Sequence, residues 1–312
     1  MPSFQEFTFP SSTGNNTIYA RICVPDAAPR GVVQIAHGIA EHIGRYEAFM
    51  LFLAGNGFVA VGNDHLGHGK SAVKLEENGI LAESNGWDYV VRDMALLRGL
   101  MKEKYPDLPY IFFGHSMGSF LTRTYLILHP DDYDAAILSG TGQQSQALIM
   151  AGYLAASLTV KLNGPRASGQ KLNDMAFGSY CKKIENPRTP FDWLSRDPEA
   201  VDRYIADPKC GFVCKCSLYR DMMDGLRFIT SQANINKMNK TKPIYFMSGE
   251  ADPVGDYGKG VENAYHAFCR AGLKDVMIRL YPEGRHEMLN EINRDAVLDD
   301  ILAWLNSKIG AA

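Results

Sequence analysis

Hydrophobic positions along this chain alternate between two rhythms. Six short apolar runs, Gly31–His37, Phe58–Asp64, Tyr110–Gly114, Ala135–Ser139, Pro243–Ser248 and Val276–Tyr281, are mostly closed by Gly, Asp or Glu. Runs of this length predict buried parallel strands. Between them apolar residues recur every three to four positions, which predicts helices over Arg45–Gly55, Trp87–Lys104, Ser116–Leu128, Gly258–Ala271 and Arg294–Lys308. Phe4–Phe9 and Asn16–Val24 predict an N-terminal hairpin and bring the strands to eight. Strand–helix alternation of this kind predicts an α/β fold, a mostly parallel sheet with helices on both faces.

The rhythm breaks between Gln146 and Ala233. That stretch carries helical patterns and Pro-containing turns (NPRTPFDW, RDPEA, ADPKC) but no strand pattern. It predicts a helical cap, residues 146–233, inserted into a core of residues 1–145 and 234–312. Within it, Ala147–Val160 is apolar nearly all round. Such a helix packs on the core, or turns a second face to an acyl pocket or a lipid surface. Phe177, Phe191, Trp193, Phe212, Met222, Met223, Leu226 and Phe228 are the candidates to line such a pocket.

Composition narrows the classes. The chain has 312 residues, 46% of them apolar, which suits one large core with an insertion. A net charge of −3 gives no basic surface for nucleic acid. The N-terminus MPSFQEFTFP lacks the basic and apolar regions of a secretory signal. The Ala147–Val160 run is shorter than the roughly 20 residues that span a bilayer. Of six cysteines only Cys210, Cys214 and Cys216 cluster. With no histidine or second pair at zinc spacing, they read as free thiols, and no metal is expected. A cytoplasmic location is expected, with at most a transient contact of the cap with a membrane surface. Oligomeric state is left open.

The chemistry starts at Gly114-His115-Ser116-Met117-Gly118. This G-x-S-x-G follows a predicted strand and opens a predicted helix, the context that aims a serine out of a sheet. The glycines relieve crowding at a sharp turn, and the N–H of Met117 faces any oxyanion formed there. Serine needs a base, and the base an orienting acid, in the chain order Ser, acid, His. Asp252 follows the strand before GEADPVG, and His286 follows the last strand, so both fall at the same sheet edge as Ser116. Glu250 and Asp256 are the weaker acids, and TGQQSQ after Ala135–Ser139 offers none. A histidine base predicts an acid limb near its ordinary value of about 6.5. The loop AHGIAEHIGRYEAF makes Ile39 N–H the second oxyanion donor, with Glu41 and Arg45 as an i,i+4 brace. NDHLGHGKS reads as another loop brace without chemistry.

Five segments, HGIAEHIGRY, DHLGHGKS, GHSMGS, GEADPVG and GRHEMLNE, resemble in sequence and order the monoacylglycerol lipase and lysophospholipase branch of the α/β-hydrolase superfamily. The resemblance covers both halves of the core and is least close in the cap. It implies hydrolysis of single-chain lipid esters, a Ser116–His286–Asp252 triad, backbone donors at Ile39 and Met117, no cofactor, and a mobile cap over an acyl tunnel. Ser119 stands where the branch usually has a second glycine. Other readings of the same triad are a short-chain or aryl esterase, a thioesterase, or a proline-type aminopeptidase holding a substrate ammonium with Asp221 or Asp224. Outside enzymes, a non-catalytic binding protein of the same fold remains.

Overall fold

Strands β1 (Ser3–Pro10) and β2 (Thr17–Val24) form the N-terminal hairpin, followed by β3 (Gly31–Ala36), β4 (Phe58–Asn63), β5 (Tyr110–His115), β6 (Ala135–Ser139), β7 (Ile244–Gly249) and β8 (Val276–Tyr281). The computed structural model describes residues 2–72 and 74–309. All eight strands join one sheet in the order β1-β2-β4-β3-β5-β6-β7-β8. β2 runs antiparallel to β1 and β4, and the pairs from β4 to β8 are parallel.

The unbroken apolar runs are explained by burial on both faces. Every residue of β3, β4, β5, β6 and β7 is buried. β8 departs from the expected buried strand. It is the edge of the sheet, its residues alternate in exposure, and Arg279 reaches outward to Asp300 at 2.9 Å.

Helix α1 (Glu47–Gly55) and α10 (Arg294–Ile309) bury their apolar residues in a cluster with Ile35, Phe113 and Tyr245 on one face. The other face takes α2 (Gly86–Lys104), α3 (Met117–Leu128) and α9 (Lys259–Arg270). Between β6 and β7 run α4 (Gln146–Asn163), α5 (Gln170–Phe177), α6 (Pro198–Ala206), α7 (Cys216–Ile229) and α8 (Gln232–Ile235). The RDPEA turn is a helix start. Pro198 opens α6 and the Asp197 side chain accepts from Glu199 N–H at 2.9 Å, the usual use of an N-cap acid before proline.

Strand order places the site. The chain leaves β3 for β4 on one side, then crosses to β5 on the other. The loops after β3 and β5 therefore diverge from adjacent strand ends, which opens a crevice at the carboxyl edge. The register Ala36 against Gly114 sets the HGIA loop beside the serine turn. Among the described residues no helix is long and apolar enough to cross a membrane.

Candidate active site

Ser116 has φ 53° and ψ −122°, outside the regions a non-glycine residue normally occupies. The strain is held by close packing on both sides. A Cβ on Gly118 would lie 2.0 Å from Ala36 O, and one on Gly114 would lie 2.5 Å from Thr122 Oγ1. Only hydrogen fits at either position, so β5 and α3 can meet at a sharp angle that lifts Ser116 toward the crevice. Ser119, the residue that departs from the family pattern, is buried and donates to Ser116 O at 2.6 Å. Its hydroxyl closes the turn.

The two predicted partners meet. His286 Nδ1 lies 2.9 Å from Asp252 Oδ2. An ionised carboxylate only accepts, so Nδ1 carries the proton and Nε2 is left as the basic nitrogen. Asp252 is fully buried and also accepts from Ser248 Oγ at 3.0 Å and from Val254 N–H at 2.9 Å. Burial works against its charge, but the imidazole and these donors hold its pKa below the ordinary value. Burial likewise works against a charged His286. Asp252 overcomes that, with help from Glu287 and Glu41, and its pKa is raised, above the ordinary value the sequence suggested. Glu250 and Asp256 are exposed and make no contact with His286.

Ser116 and His286 line one cavity. Among the hydrogen bonds of the described residues none joins Ser116 Oγ to His286 Nε2, and such bonds often tighten only around substrate. The N–H groups of Ile39 and Met117 make no hydrogen bond among the described residues, whereas Gly38 N–H is already held by Glu41 Oε1 at 2.5 Å. Both residues border the same cavity as Ser116, and Met117 opens α3, so an unpaired N–H at a helix start faces this site, as an oxyanion requires.

The Glu41–Arg45 brace exists, at 2.5 Å, and it is larger than the sequence suggested. Arg45 also grips Glu287 with both nitrogens at 2.7 Å, and Tyr46 donates to Glu41 at 2.9 Å. Glu287 is buried, and burial alone would raise its pKa. Arg45 instead brings it to about 2. The network ties the loop that carries Ile39 to the loop that carries His286. Glu287 directly follows His286, and a glutamate in a buried loop calls for a cation. That signal was available in GRHEMLNE.

Two other neighbours were not foreseen. The His115 ring lies 4.6 Å from the His286 ring, and burial with repulsion from His286 lowers its pKa to about 4. The Trp193 ring lies 5.1 Å from His286. Trp193 O and Leu194 O accept from the N–H groups of His286 (3.3 Å) and Glu287 (2.7 Å), and Arg196 pairs with Glu291 at 2.9 Å. This stretch of the 146–233 segment is sewn to the histidine loop.

The remaining candidates are placed as follows. His37, His65 and His68 are buried with the His65 and His68 rings tilted against His37 at 4.0 and 5.3 Å between centroids, and Asp64 accepts from Ile43 and Lys70 N–H groups. Burial lowers His65 to about 3 and His68 to about 4, so they brace the loop as neutral rings. His42 and Asp207 come within 4.8 Å of Cys210, which its neighbours in sequence did not suggest. His42 already pairs with Asp207 at 2.8 Å, and burial raises the Cys210 thiol, so the thiolate a metal would need is disfavoured. Asp221 is buried against Gly86 N–H and Arg220, and Asp224 pairs with Arg227. Neither lines the cavities around Ser116.

Those cavities are two, of about 370 and 430 Å³, and Ser116, Ile39 and Phe177 border both. Trp193, Phe191 and Phe212 line the first; Met222, Met223 and Leu226 line the second. Phe228 lines neither and packs against the core.

Residues 27–293 match a hydrolase family described as serine aminopeptidase, S33. The chain belongs to that family. It is 30% identical over 307 residues to a monoacylglycerol lipase of Mycolicibacterium smegmatis, covering 97% of this chain and 98% of the relative. It is 25% identical over 299 residues to a monoglyceride lipase of Mus musculus, covering 95% and 88%. In three dimensions it is similar to a thermostable carboxyl esterase from Bacillus coagulans solved with glycerol, with a TM-score of 0.92, 32% identity and 98% and 99% of the two chains covered. The family and the α/β-hydrolase fold drawn from the five segments are borne out.

Proposed function

We propose that the enzyme hydrolyses neutral esters with one acyl chain, monoacylglycerols foremost, through an acyl-enzyme on Ser116. The observation that carries this reading is the meeting of two unlike cavities at the serine. The larger is walled by Phe120, Ile149, Met222, Met223, Leu226 and Val254, with no charged side chain among its lining, and suits a single acyl chain. Flexible methionines let such a wall fit chains of different length. The smaller presents Gln170, Asn173, Asp174, Tyr204 and Tyr219 beside aromatic rings, and suits a small polyol. No Lys or Arg lines it. A phosphate head group would find Asp174 and the Arg45-paired Glu41 and Glu287 but no cation in the lining to receive it, so a neutral glycerol is favoured over a lysophospholipid. The glycerol held by the Bacillus coagulans esterase supports an alcohol of that size.

In this reading Ser116 Oγ attacks the ester carbonyl as His286 Nε2 takes its proton. Asp252 holds the tautomer and stabilises the imidazolium. Ile39 and Met117 N–H groups receive the oxyanion. His286 then protonates the departing alcohol, and water, activated by the same histidine, releases the fatty acid. The segment 146–233 acts as the cap on a core of residues 1–145 and 234–312. The exposed apolar side of α4 supports a transient contact of that cap with lipid. Six unpaired cysteines suit a reducing, cytoplasmic compartment.

The test is kcat/KM across monoacylglycerols of increasing chain length, beside a triacylglycerol, a lysophospholipid and an aminoacyl amide. The expected result is a rise with length to a plateau, with monoacylglycerols ahead of the other three. A steady fall from acetate-sized esters, or preferred cleavage of the amide, would overturn the reading. For an aminopeptidase, the ammonium-binding role considered for Asp221 and Asp224 is unsupported, since neither reaches the cavities.

A further inference from the structure

Among the described residues Arg123 is the largest fully buried side chain, and its position in α3 is one turn beyond Phe120, which lines the apolar cavity. Burial lowers its pKa to about 9, so it is still charged at neutral pH, and among the described residues it pairs with no carboxylate. A cation left without a counter-ion in a core is costly and calls for an explanation. Its partners supply one. Nη1 donates to Gly142 O at 2.9 Å, and Nη2 to Gln143 Oε1 at 2.7 Å and Ile229 O at 3.3 Å. Gly142 and Gln143 lie where the chain leaves β6 for the cap. Ile229 is the last residue of α7, where the cap returns, and its carbonyl sits at the negative end of that helix. One guanidinium therefore holds both necks of the cap to the helix that follows the serine. A second link joins the necks directly: Gln146 Nε2 donates to Thr230 Oγ1 at 2.7 Å, and Thr230 Oγ1 donates to Leu226 O at 2.8 Å.

The pinned elements are three walls of the apolar cavity. Phe120 comes from α3, Gly142 from the first neck, and Leu226 from α7, one turn before Ile229. We propose that Arg123 is a positioning residue that sets the bore of this cavity, and with it the acyl-length preference, by fixing both cap necks to α3. The proposal rests on the apolar cavity being the acyl site. A planar fork with several donors suits the task, since it reaches carbonyls from two directions at once. An apolar side chain of equal length would fill the space and remove these bonds from α3 to both necks.

The experiment compares wild type, Arg123→Met, Arg123→Lys and the pair Gln146→Ala with Thr230→Val. Each is assayed on monoacylglycerols from butyryl to stearoyl, on p-nitrophenyl acetate, and by hydrogen exchange over residues 142–149 and 226–233. In Arg123→Met the ratio of long-chain to short-chain kcat/KM should fall about tenfold, the size of a pocket's discrimination between chain lengths. Turnover of p-nitrophenyl acetate should stay within about twofold, because the reacting groups are untouched. Exchange should quicken in both segments together. Arg123→Lys, which keeps the charge and part of the donor set, should fall by a smaller factor. The neck pair should flatten the profile with Arg123 in place, so it serves as the test if Arg123→Met does not fold. A chain-length profile that keeps its shape in Arg123→Lys and in the neck pair would overturn the proposal. A wild type with no chain-length preference would sink the lipid-ester reading itself, which is a different failure.

Discussion

Arg45 grips Glu287 through both of its terminal nitrogens, at 2.7 Å each, with both side chains largely withdrawn from water. Neighbouring residues carry the chemistry on either side. Glu287 follows His286, and Arg45 also holds Glu41, which fixes Gly38 beside Ile39. Removing one partner leaves a buried charge alone. Arg45→Met is therefore expected to lose roughly 3–5 kcal/mol of stability, read from urea unfolding at neutral pH. The sign with pH follows from Glu287, whose pKa falls from 4.5 to about 2 on folding. A depressed carboxylate adds stability that is complete above its unfolded pKa and is lost as pH drops through the folded one. Wild-type stability should decline between about pH 4.5 and 2. In Glu287→Gln that part of the decline should be missing.

His286 gives a second pH signature. Its pKa is raised above 6.5 by Asp252 and the nearby carboxylates. Neutral imidazole is the form that accepts the Ser116 proton, so kcat/KM should rise with pH, with its midpoint above 6.5 rather than at it. Asp252→Asn should move the midpoint down, since the raising charge is gone. A flat profile from pH 5 to 8 under slow, non-diffusional turnover would remove His286 as the base.

Substitution of the triad separates roles. Ser116→Ala and His286→Ala should each lower kcat by roughly 10⁴-fold or more with the fold retained. Asp252→Asn should cost about 10⁴-fold through loss of the correct tautomer. Normal labelling of Ser116→Ala by a fluorophosphonate would place the nucleophile elsewhere. A severe loss at Glu250→Gln with a mild one at Asp252→Asn would move the acid.

What could be read in advance divides along physical lines. Strands buried on both faces write themselves as unbroken apolar runs, so β3 to β7 were legible. β8 carries a similar run at an edge, where Met277 and Arg279 look outward, and periodicity alone did not separate the two cases. The serine turn was legible because Gly114 and Gly118 are required by sterics that act within four residues. The joins between distant segments were not. Arg45 with Glu287, Arg123 with Ile229, and Trp193 with His286 depend on where the 146–233 segment and the last loop come to rest. Single-sequence spacing carries no record of that. Asp221 shows the converse: an acid in a plausible segment was spent on a helix start at Gly86.

The outer face of α4 provides the last test. Leu154, Leu158 and Leu162 are 60, 56 and 72% exposed and follow one another at four-residue spacing on one side of the helix. The opposite side of α4, through Ile149, Gly152 and Ala156, walls the apolar cavity. The helix thus has the apolar cavity on one side and exposed leucines on the other, and if that cavity holds the acyl chain as proposed, a lipid layer on the outer face would lie one helix thickness from it. Immersing Leu158 and Leu162 by half should contribute about 2 kcal/mol together, roughly a thirtyfold change in partition. Leu158→Ser with Leu162→Ser should therefore weaken co-sedimentation with neutral phosphatidylcholine vesicles by about that factor. Hydrolysis of soluble p-nitrophenyl acetate should be unchanged, because neither leucine borders Ser116. Turnover of a long-chain monoacylglycerol presented in vesicles should fall, while the same ester dispersed in detergent micelles should recover most of it. Equal vesicle binding by the variant and the wild type would show that α4 is not the contact, and its leucines would then need another partner.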